Sequence, residues 1–332
     1  MPGSGYKKRR TDKNKKNQRH SVAGLSFNSS PLFCCCLGAE RGSSKKRPEF
    51  RFPLCSAAVY NASIMTKTSQ SGGRDGIVIV EKQAGIATVS INRPEASNSI
   101  NNALRSDLTA VFDELAVDRQ VRVVVLTSAG DEPFSVGMDV GELAGFAPQE
   151  IEAVGRQARG LYDRMTALQV PIISAIKGAC LGAGFELALH ADIRLARSDA
   201  RFGLPGINVG MTAGGGALAR LQRISGVGSA TALALTGGLV TAERAFMLGL
   251  VSNVSTTSDF WPSVQQLAAH FVSLSPVAVA ELKRLLKLAA EGRIEDAAEA
   301  SPRALARCFV EGDALGRLQV LISGRDPEAT VH

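Results

Sequence analysis

The stretch Lys177-Gly178-Ala179-Cys180-Leu181-Gly182-Ala183-Gly184-Phe185-Glu186-Leu187-Ala188-Leu189-His190-Ala191-Asp192 constrains this chain more than any other. It follows an apolar run of strand length, Val170 to Ile176, and leads through small residues into a segment with helical apolar spacing, which predicts strand, glycine turn, helix. Gly178, Gly182 and Gly184 let the backbone bend and let another molecule approach it closely. The first N–H groups of the new helix lack intrahelical partners and sit at the positive end of its dipole, where an oxyanion is stabilised. Glu186, one turn further on, is an ionisable group in an otherwise apolar segment, a setting suited to a general base.

The rest of the chain supplies a frame for this turn. Ile77 to Glu81 and Ile86 to Ile91 alternate like the two strands of a hairpin around Ala84-Gly85. Arg93 to Ser99 is loop-like, and Ala103 to Leu115 has helical spacing. Val121-Arg122-Val123-Val124-Val125-Leu126-Thr127 is too uniformly β-branched to have a wet face, so it predicts a buried central strand. A glycine-bearing loop, Ser128 to Gly137, leads to a helix from Asp139. Ile151 to Leu168 predicts a second helix, Val170 to Ile176 a strand, Gly184 to His190 a helix and Ile193 to Ala196 a strand. Such alternation argues for an α/β core with a parallel or mixed sheet. Beyond Ala213 helical spacing takes over: Ala217 to Ile224, Ser229 to Leu235, Thr241 to Leu248, Trp261 to Leu274, Pro276 to Ala290, Ile294 to Arg307 and Ala314 to Ile322.

Charge divides the chain. Residues 1–64 hold 13 of the 38 Lys+Arg and 3 of the 31 Asp+Glu, a net of +10 within a total of +7, which leaves −3 for the rest. The opening segment, with Lys7-Lys8-Arg9-Arg10 and no hydrophobic periodicity, is expected to be disordered. Its readings are an organelle-targeting sequence, a nuclear address, a nucleic-acid arm or an appendage without bearing on the chemistry, and the last is preferred because short basic motifs often match by chance. The core itself is mildly acidic, so no nucleic acid is expected there. Cys34, Cys35, Cys36 and Cys55 fall in the first segment and Cys180 and Cys308 in the rest, with no disulfide framework and no metal-type spacing. No apolar run reaches the roughly 18 residues of a membrane span. A soluble, cytoplasmic protein is the expectation, mitochondrial if the extension is a targeting segment. The division expected is 1–64 extension, 65–265 core and 266–332 C-terminal helical region.

Several motifs also carry a resemblance. Ile91-Asn92-Arg93-Pro94-Glu95-Ala96-Ser97-Asn98-Ser99-Ile100 resembles a signature of the crotonase superfamily, the enoyl-CoA hydratase/isomerase proteins. Phe134-Ser135-Val136-Gly137-Met138-Asp139-Val140 and Gly178 to Asp192 resemble two more. Phe202-Gly203-Leu204-Pro205, Gly214-Gly215-Gly216 and Leu235-Thr236-Gly237 continue the match in order. The resemblance implies a crotonase-like β-β-α spiral core with a C-terminal helical layer. It also implies a thioester carbonyl held by the backbone N–H groups of Met138 and Ala183, and a catalytic carboxylate at Glu186. Ala96, Ser99, Gly137, Asp139 and Val140 would lie near coenzyme A, and Gly182 and Gly206 near the substrate. Coenzyme A would enter as part of the substrate, with no tightly bound cofactor and no metal. A homotrimer or a dimer of trimers is implied, and the apolar stripe Ala278, Val279, Leu282, Leu285 and Leu286 could pack on a neighbour.

The chain departs from a hydratase at one position. The second catalytic glutamate would stand at 206, where this sequence has Gly206, and Ile207, Asn208 and Val209 supply no acid. A side chain added at that glycine is expected to strain its loop. Hydration shares its proton transfers between two carboxylates, so high-rate hydration is in doubt. Two classes of function follow: an acyl-CoA-processing hydratase, dehydratase, isomerase or decarboxylase, which is preferred, and a non-catalytic member that binds acyl-CoA or uses the basic arm. Asp139 reads as a helix cap, His190 as a packed or capping residue and Gly214 to Gly216 as a turn. The structural alternative for Glu186 is a capping-box glutamate.

Overall fold

The computed structural model describes residues 76–131 and 133–323; the basic extension and the cysteines at 34, 35, 36 and 55 lie outside them. Val78–Gln83 (β1) and Ile86–Ile91 (β2) form the expected antiparallel hairpin. Ala84 and Gly85 make its turn with φ of 49° and 80°. Asn102–Val117 (α1) starts where the Asn101 side chain accepts the Leu104 N–H, and it buries Leu104, Leu108, Phe112 and Leu115 on one face. Val123–Ser128 (β3) follows, then Val140–Ala144 (α2), Ile151–Ala167 (α3), Ile172–Ile176 (β4), Ala179–Leu181 (β5), Ala183–Leu189 (α4), Ile193–Arg197 (β6) and Arg201–Gly203 (β7).

The main sheet has the order β1-β2-β3-β4-β6 and then Asn253–Ser255 (β9), and every pairing after the hairpin is parallel. All of β3 is buried, because its alternate residues feed two cores. Val124 and Leu126 pack with Leu104, Phe112 and Leu161 on one face. Val123 and Val125 pack with Phe260, Val264 and Ala268 on the other. The uniform run therefore is a strand wetted on neither side, as its composition requires.

A second sheet joins β5, β7 and Val240–Thr241 (β8). The expected strand, turn, helix unit is thus more elaborate: β4 ends at Ile176, a bend at Lys177-Gly178 starts β5, and only then does Gly182 open α4. β5, β7, β8 and β9 are two or three residues long, so local alternation does not reveal them. The remaining helices are Ala217–Thr236 (α5), Ala242–Met247 (α6), Thr257–Ser273 (α7), Pro276–Ala290 (α8), Ile294–Val310 (α9) and Ala314–Ser323 (α10). In α5 the non-helical Gly226, at φ 77° and ψ 162°, separates the two helical stretches that the sequence suggests. Among the described residues no helix is long and apolar enough to cross a membrane.

α4 approaches the loop that follows β3 closely. A Cβ built on Gly184 would lie 2.6 Å from the Ser135 Cβ and 2.8 Å from the Ser135 carbonyl oxygen. Gly228, in contrast, has nothing within 4 Å of its virtual Cβ. Gly184→Ala is therefore expected to destabilise by about 1–3 kcal/mol through overpacking. Gly228→Ala is expected to be neutral or to stabilise by up to about 1 kcal/mol through the unfolded chain. Urea denaturation of both variants checks the pair; equal midpoints would show that the contact at Ser135 relaxes freely.

Candidate active site

Two glycine turns meet beside α4. The loop after β3 runs along β5: Phe134 N–H donates to Lys177 O at 2.9 Å, Ser135 N–H to Ala179 O at 3.0 Å, and Leu181 N–H to Ser135 O at 2.9 Å. This pairing carries the loop to Gly137, with φ of 109°, next to Gly182, with φ of 49°. The virtual Cβ of Gly137 lies 3.1 Å from Leu181 O and 3.5 Å from Ala183 N, and that of Gly182 lies 3.6 Å from the Gly137 Cα. Side chains at these positions would both strain the backbone and separate the turns. Met138 and Ala183 follow the two glycines directly. Among the described residues neither of their N–H groups donates a backbone hydrogen bond outside the regular elements, and Ala183 opens α4. A helix start leaves the Ala183 donor free, and Met138 stands just before the Asp139 cap of α2, so two unengaged amides stand on adjoining turns.

The segment 93–99 secures the outer side. Asn98, buried with φ of 57°, accepts the Arg93 N–H at 2.8 Å and donates its amide to Pro133 O at 2.7 Å. Asp139 caps α2 as expected, accepting the Glu142 N–H at 3.2 Å. It also accepts from Arg93 Nη2 at 3.2 Å and from Ser99 Oγ at 3.3 Å. The Glu142 amide, then Arg93 and Ser99, hold its carboxyl below the ordinary range. The Ser99 side chain is buried on Asp139, whereas Ala96 is half-buried in a short 3-10 turn and Val140 is exposed. Lys177, buried beneath, donates to Ser128 O at 3.0 Å and to Gly130 O, tying the loop to the end of β4.

Glu186 is 5% exposed and faces the interior. The capping-box alternative does not hold: the cap of α4 is Gly182, and the Glu186 carboxylate reaches across to accept the Gly215 N–H at 3.1 Å. Burial raises its pKa to about 7, against the pull of the Gly215 and Gly214 amides. The glycine run read as a turn thus has a second task, presenting bare N–H groups to a carboxylate. Its signal, three consecutive glycines, is visible in the sequence, but its partner 29 positions away is not. A Cβ on Gly215 would fall 2.2 Å from the Tyr162 ring, so residue 215 has room only for hydrogen.

Tyr162 lies over the same spot, its hydroxyl donating weakly to Ala183 O at 3.4 Å. Its ring stacks on His190 at 4.3 Å with an interplanar angle of 13°. His190 Nδ1 donates to Glu186 O at 2.7 Å, and burial lowers its pKa to about 4. It is the packed, helix-ending residue expected of it. Gly206 lies in the 3-10 turn Pro205–Val209 after β7. Its virtual Cβ meets only Met211, at 3.5 Å, and its φ is not left-handed, so the expected strain is absent. Glu186 and Glu281 are the buried carboxylates among the described residues, and Glu281 is paired with Arg284 and Arg307 on the C-terminal helices.

The titrations of Glu186 and His190 oppose each other. Glu186 holds its proton more tightly in the folded state, so stability falls as pH rises from about 4.5 to about 7, by about 3 kcal/mol for a shift of this size. His190 binds its proton less tightly when folded, so stability falls as pH drops from 6.5 to about 4. Glu186→Gln is expected to be more stable than the parent above pH 7, the difference vanishing near pH 4.5. The variant alone should show the rise between pH 4 and 6.5 that His190 confers. Denaturant midpoints across this range check both; a pH-independent difference would mean that Glu186 is not raised.

Two unengaged amides beside a buried carboxylate can bind an oxyanion. The enoyl-CoA hydratase/isomerase family matches residues 81–314. The chain is 34% identical over 251 residues to the short-chain-enoyl-CoA hydratase of Clostridium acetobutylicum, covering 76% of this chain and 96% of that protein. It is 35% identical over 215 residues to the 2,3-dehydroadipyl-CoA hydratase of Escherichia coli, covering 64% and 83%. The crystal structure of an enoyl-CoA hydratase from Bacillus anthracis matches with a TM-score of 0.73 at 28% identity, over 76% of this chain and 98% of that one. Family match, shared fold and the glycine turns around Glu186 lead to one conclusion: the chain belongs to the enoyl-CoA hydratase/isomerase family of the crotonase superfamily.

Proposed function

We propose that this acyl-CoA-processing enzyme works through a thioester enolate held by the Met138 and Ala183 amides, with Glu186 as its single protein carboxylate. The observation that carries the reading is the buried Glu186, fixed by Gly215 and brought to about 7, where a carboxylate both accepts and returns a proton near neutral pH. Two prearranged donors in a water-poor site stabilise an enolate, each by roughly 3 kcal/mol. Coenzyme A arrives with the substrate: Ala96, Ser99 and the Gly137 to Val140 backbone would face it, and Gly182 would adjoin the thioester. Gly206 offers no acid for activating water. One carboxylate suits a double-bond shift, in which the same group removes and redelivers a proton, better than rapid hydration. The relatives, named as hydratases of enoyl-CoA thioesters, support the acyl-CoA substrate class and leave the acyl chain open.

Glu186→Gln keeps the shape and a hydrogen-bonding oxygen but not the base. Turnover across a panel of enoyl thioesters is expected to fall by roughly 10² to 10⁴, with acyl-CoA binding retained. In the parent kcat/KM should rise with pH and level off above about 7, as the base loses its proton. Gly206→Glu, which the open turn accommodates, should raise hydration of crotonyl-CoA relative to isomerisation. Products followed by mass spectrometry decide the case: unchanged rates in Glu186→Gln leave the carboxylate a structural role only.

We further propose a homotrimer or a dimer of trimers. Leu282 and Leu286 of α8, Leu305 and Phe309 of α9 and Leu318 and Leu321 of α10 are exposed in the single chain, an apolar surface that suits a neighbour. Light scattering at micromolar concentration should give three or six times the chain mass; a monomeric mass excludes the assembly.

A further inference from the structure

We propose that Arg105 binds a carboxylate carried by the acyl group, so that the substrates are thioesters of dicarboxylic acids. The inference rests on the acyl-CoA reading above and narrows its substrate class. Arg105 stands in α1 and is only 4% exposed. Among the described residues its Nε and Nη2 have no hydrogen-bond partner. A guanidinium cannot shed its charge and carries five N–H donors, so burial without an acceptor is strongly unfavourable. The same fold gives another buried arginine main-chain acceptors: Arg194 donates Nε to Leu250 O and Nη1 to Ala191 O, both at 2.7 Å. Arg105 has been given no such carbonyl cradle.

Its position indicates what completes it. The ionisable groups that act on it are Glu142 and Tyr162. Glu142 is already engaged, its carboxylate capping α1 by accepting the Asn102 N–H at 3.0 and 2.9 Å. Tyr162 reaches Ala183 O with its hydroxyl and lies against Gly215, which holds Glu186. Glu142 belongs to α2, which begins just after Met138. The guanidinium thus interacts with α2, which follows Met138, and with α3, whose Tyr162 reaches Ala183 O, and the far end of the acyl group would meet it there. The phosphates of coenzyme A, highly charged and hydrated, suit an exposed surface instead. A carboxylate matches the planar fork of a guanidinium with two parallel hydrogen bonds and neutralises it.

Binding to the full chain tests this without turnover. Succinyl-, glutaryl- and adipyl-CoA are compared by calorimetry with butyryl-, valeryl- and hexanoyl-CoA, all saturated at the reacting carbons. At least one dicarboxylic thioester is expected to bind roughly tenfold or more tighter than its monocarboxylic counterpart of equal length. In Arg105→Met that ratio should collapse to about one, and in Arg105→Lys part of it should return. Equal affinity for both classes in the parent overturns the proposal whether or not the variants fold, and so does a preference that survives in Arg105→Met. A chain that binds none of the six overturns the acyl-CoA reading and this proposal with it.

Discussion

The backbone pairing of Phe134 and Ser135 with Lys177, Ala179 and Leu181 is the contact on which the site depends. The loop after β3 and the turn after β5 lie more than 40 residues apart in sequence, and this ladder sets one against the other. Lys177, buried and bonded to the carbonyls of Ser128 and Gly130, fixes where the ladder begins. Gly184 then lets α4 settle onto Ser135 without a gap. The ladder runs along β5 of the second sheet, and Lys177 anchors it at the end of β4 in the main one, so the candidate site is set where the two sheets join.

Much of this is legible in the residues themselves. The uniform Val123 to Leu126 run announces a strand buried on two sides, and Leu104, Leu108, Phe112 and Leu115 announce the helix that covers one of them. The turns at Gly137 and Gly182 and the carboxylate at Glu186 are visible because glycine and a lone acid in an apolar segment are unusual local choices. What escapes local reading is long-range. β5 and β7 consist of three residues each and exist because they pair with each other, not because their own pattern demands a strand. Gly215 carries no hint of Glu186, and the isolation of Arg105 appears only when α1, α2 and α3 are assembled around it.

Burial of ionisable groups is uneven across the molecule. Arg194 and Glu281 are buried with partners in place, and they act as internal fastenings. Glu186 is held by main-chain amides alone, without a cation beside it, which keeps its proton available near neutral pH. Tyr162 and His190, stacked face to face, wall it from water while remaining uncharged themselves. This is a local sacrifice of stability at a place where the proposed chemistry needs a responsive group, with the two apolar cores as its counterweight.

The proposed enolate donors at Met138 and Ala183 are main-chain atoms, and this alters how heredity can act on them. No missense change can delete a backbone amide unless it introduces proline, so residues 138 and 183 themselves can drift among side chains that fit. Harm reaches the donors only through conformation, at Gly137, Gly182, Gly184 and Gly215, where any side chain meets either a forbidden backbone angle or a neighbouring atom. Inactivating variants should therefore gather at residues that perform no chemistry, while the positions nearest the reacting oxygen look permissive.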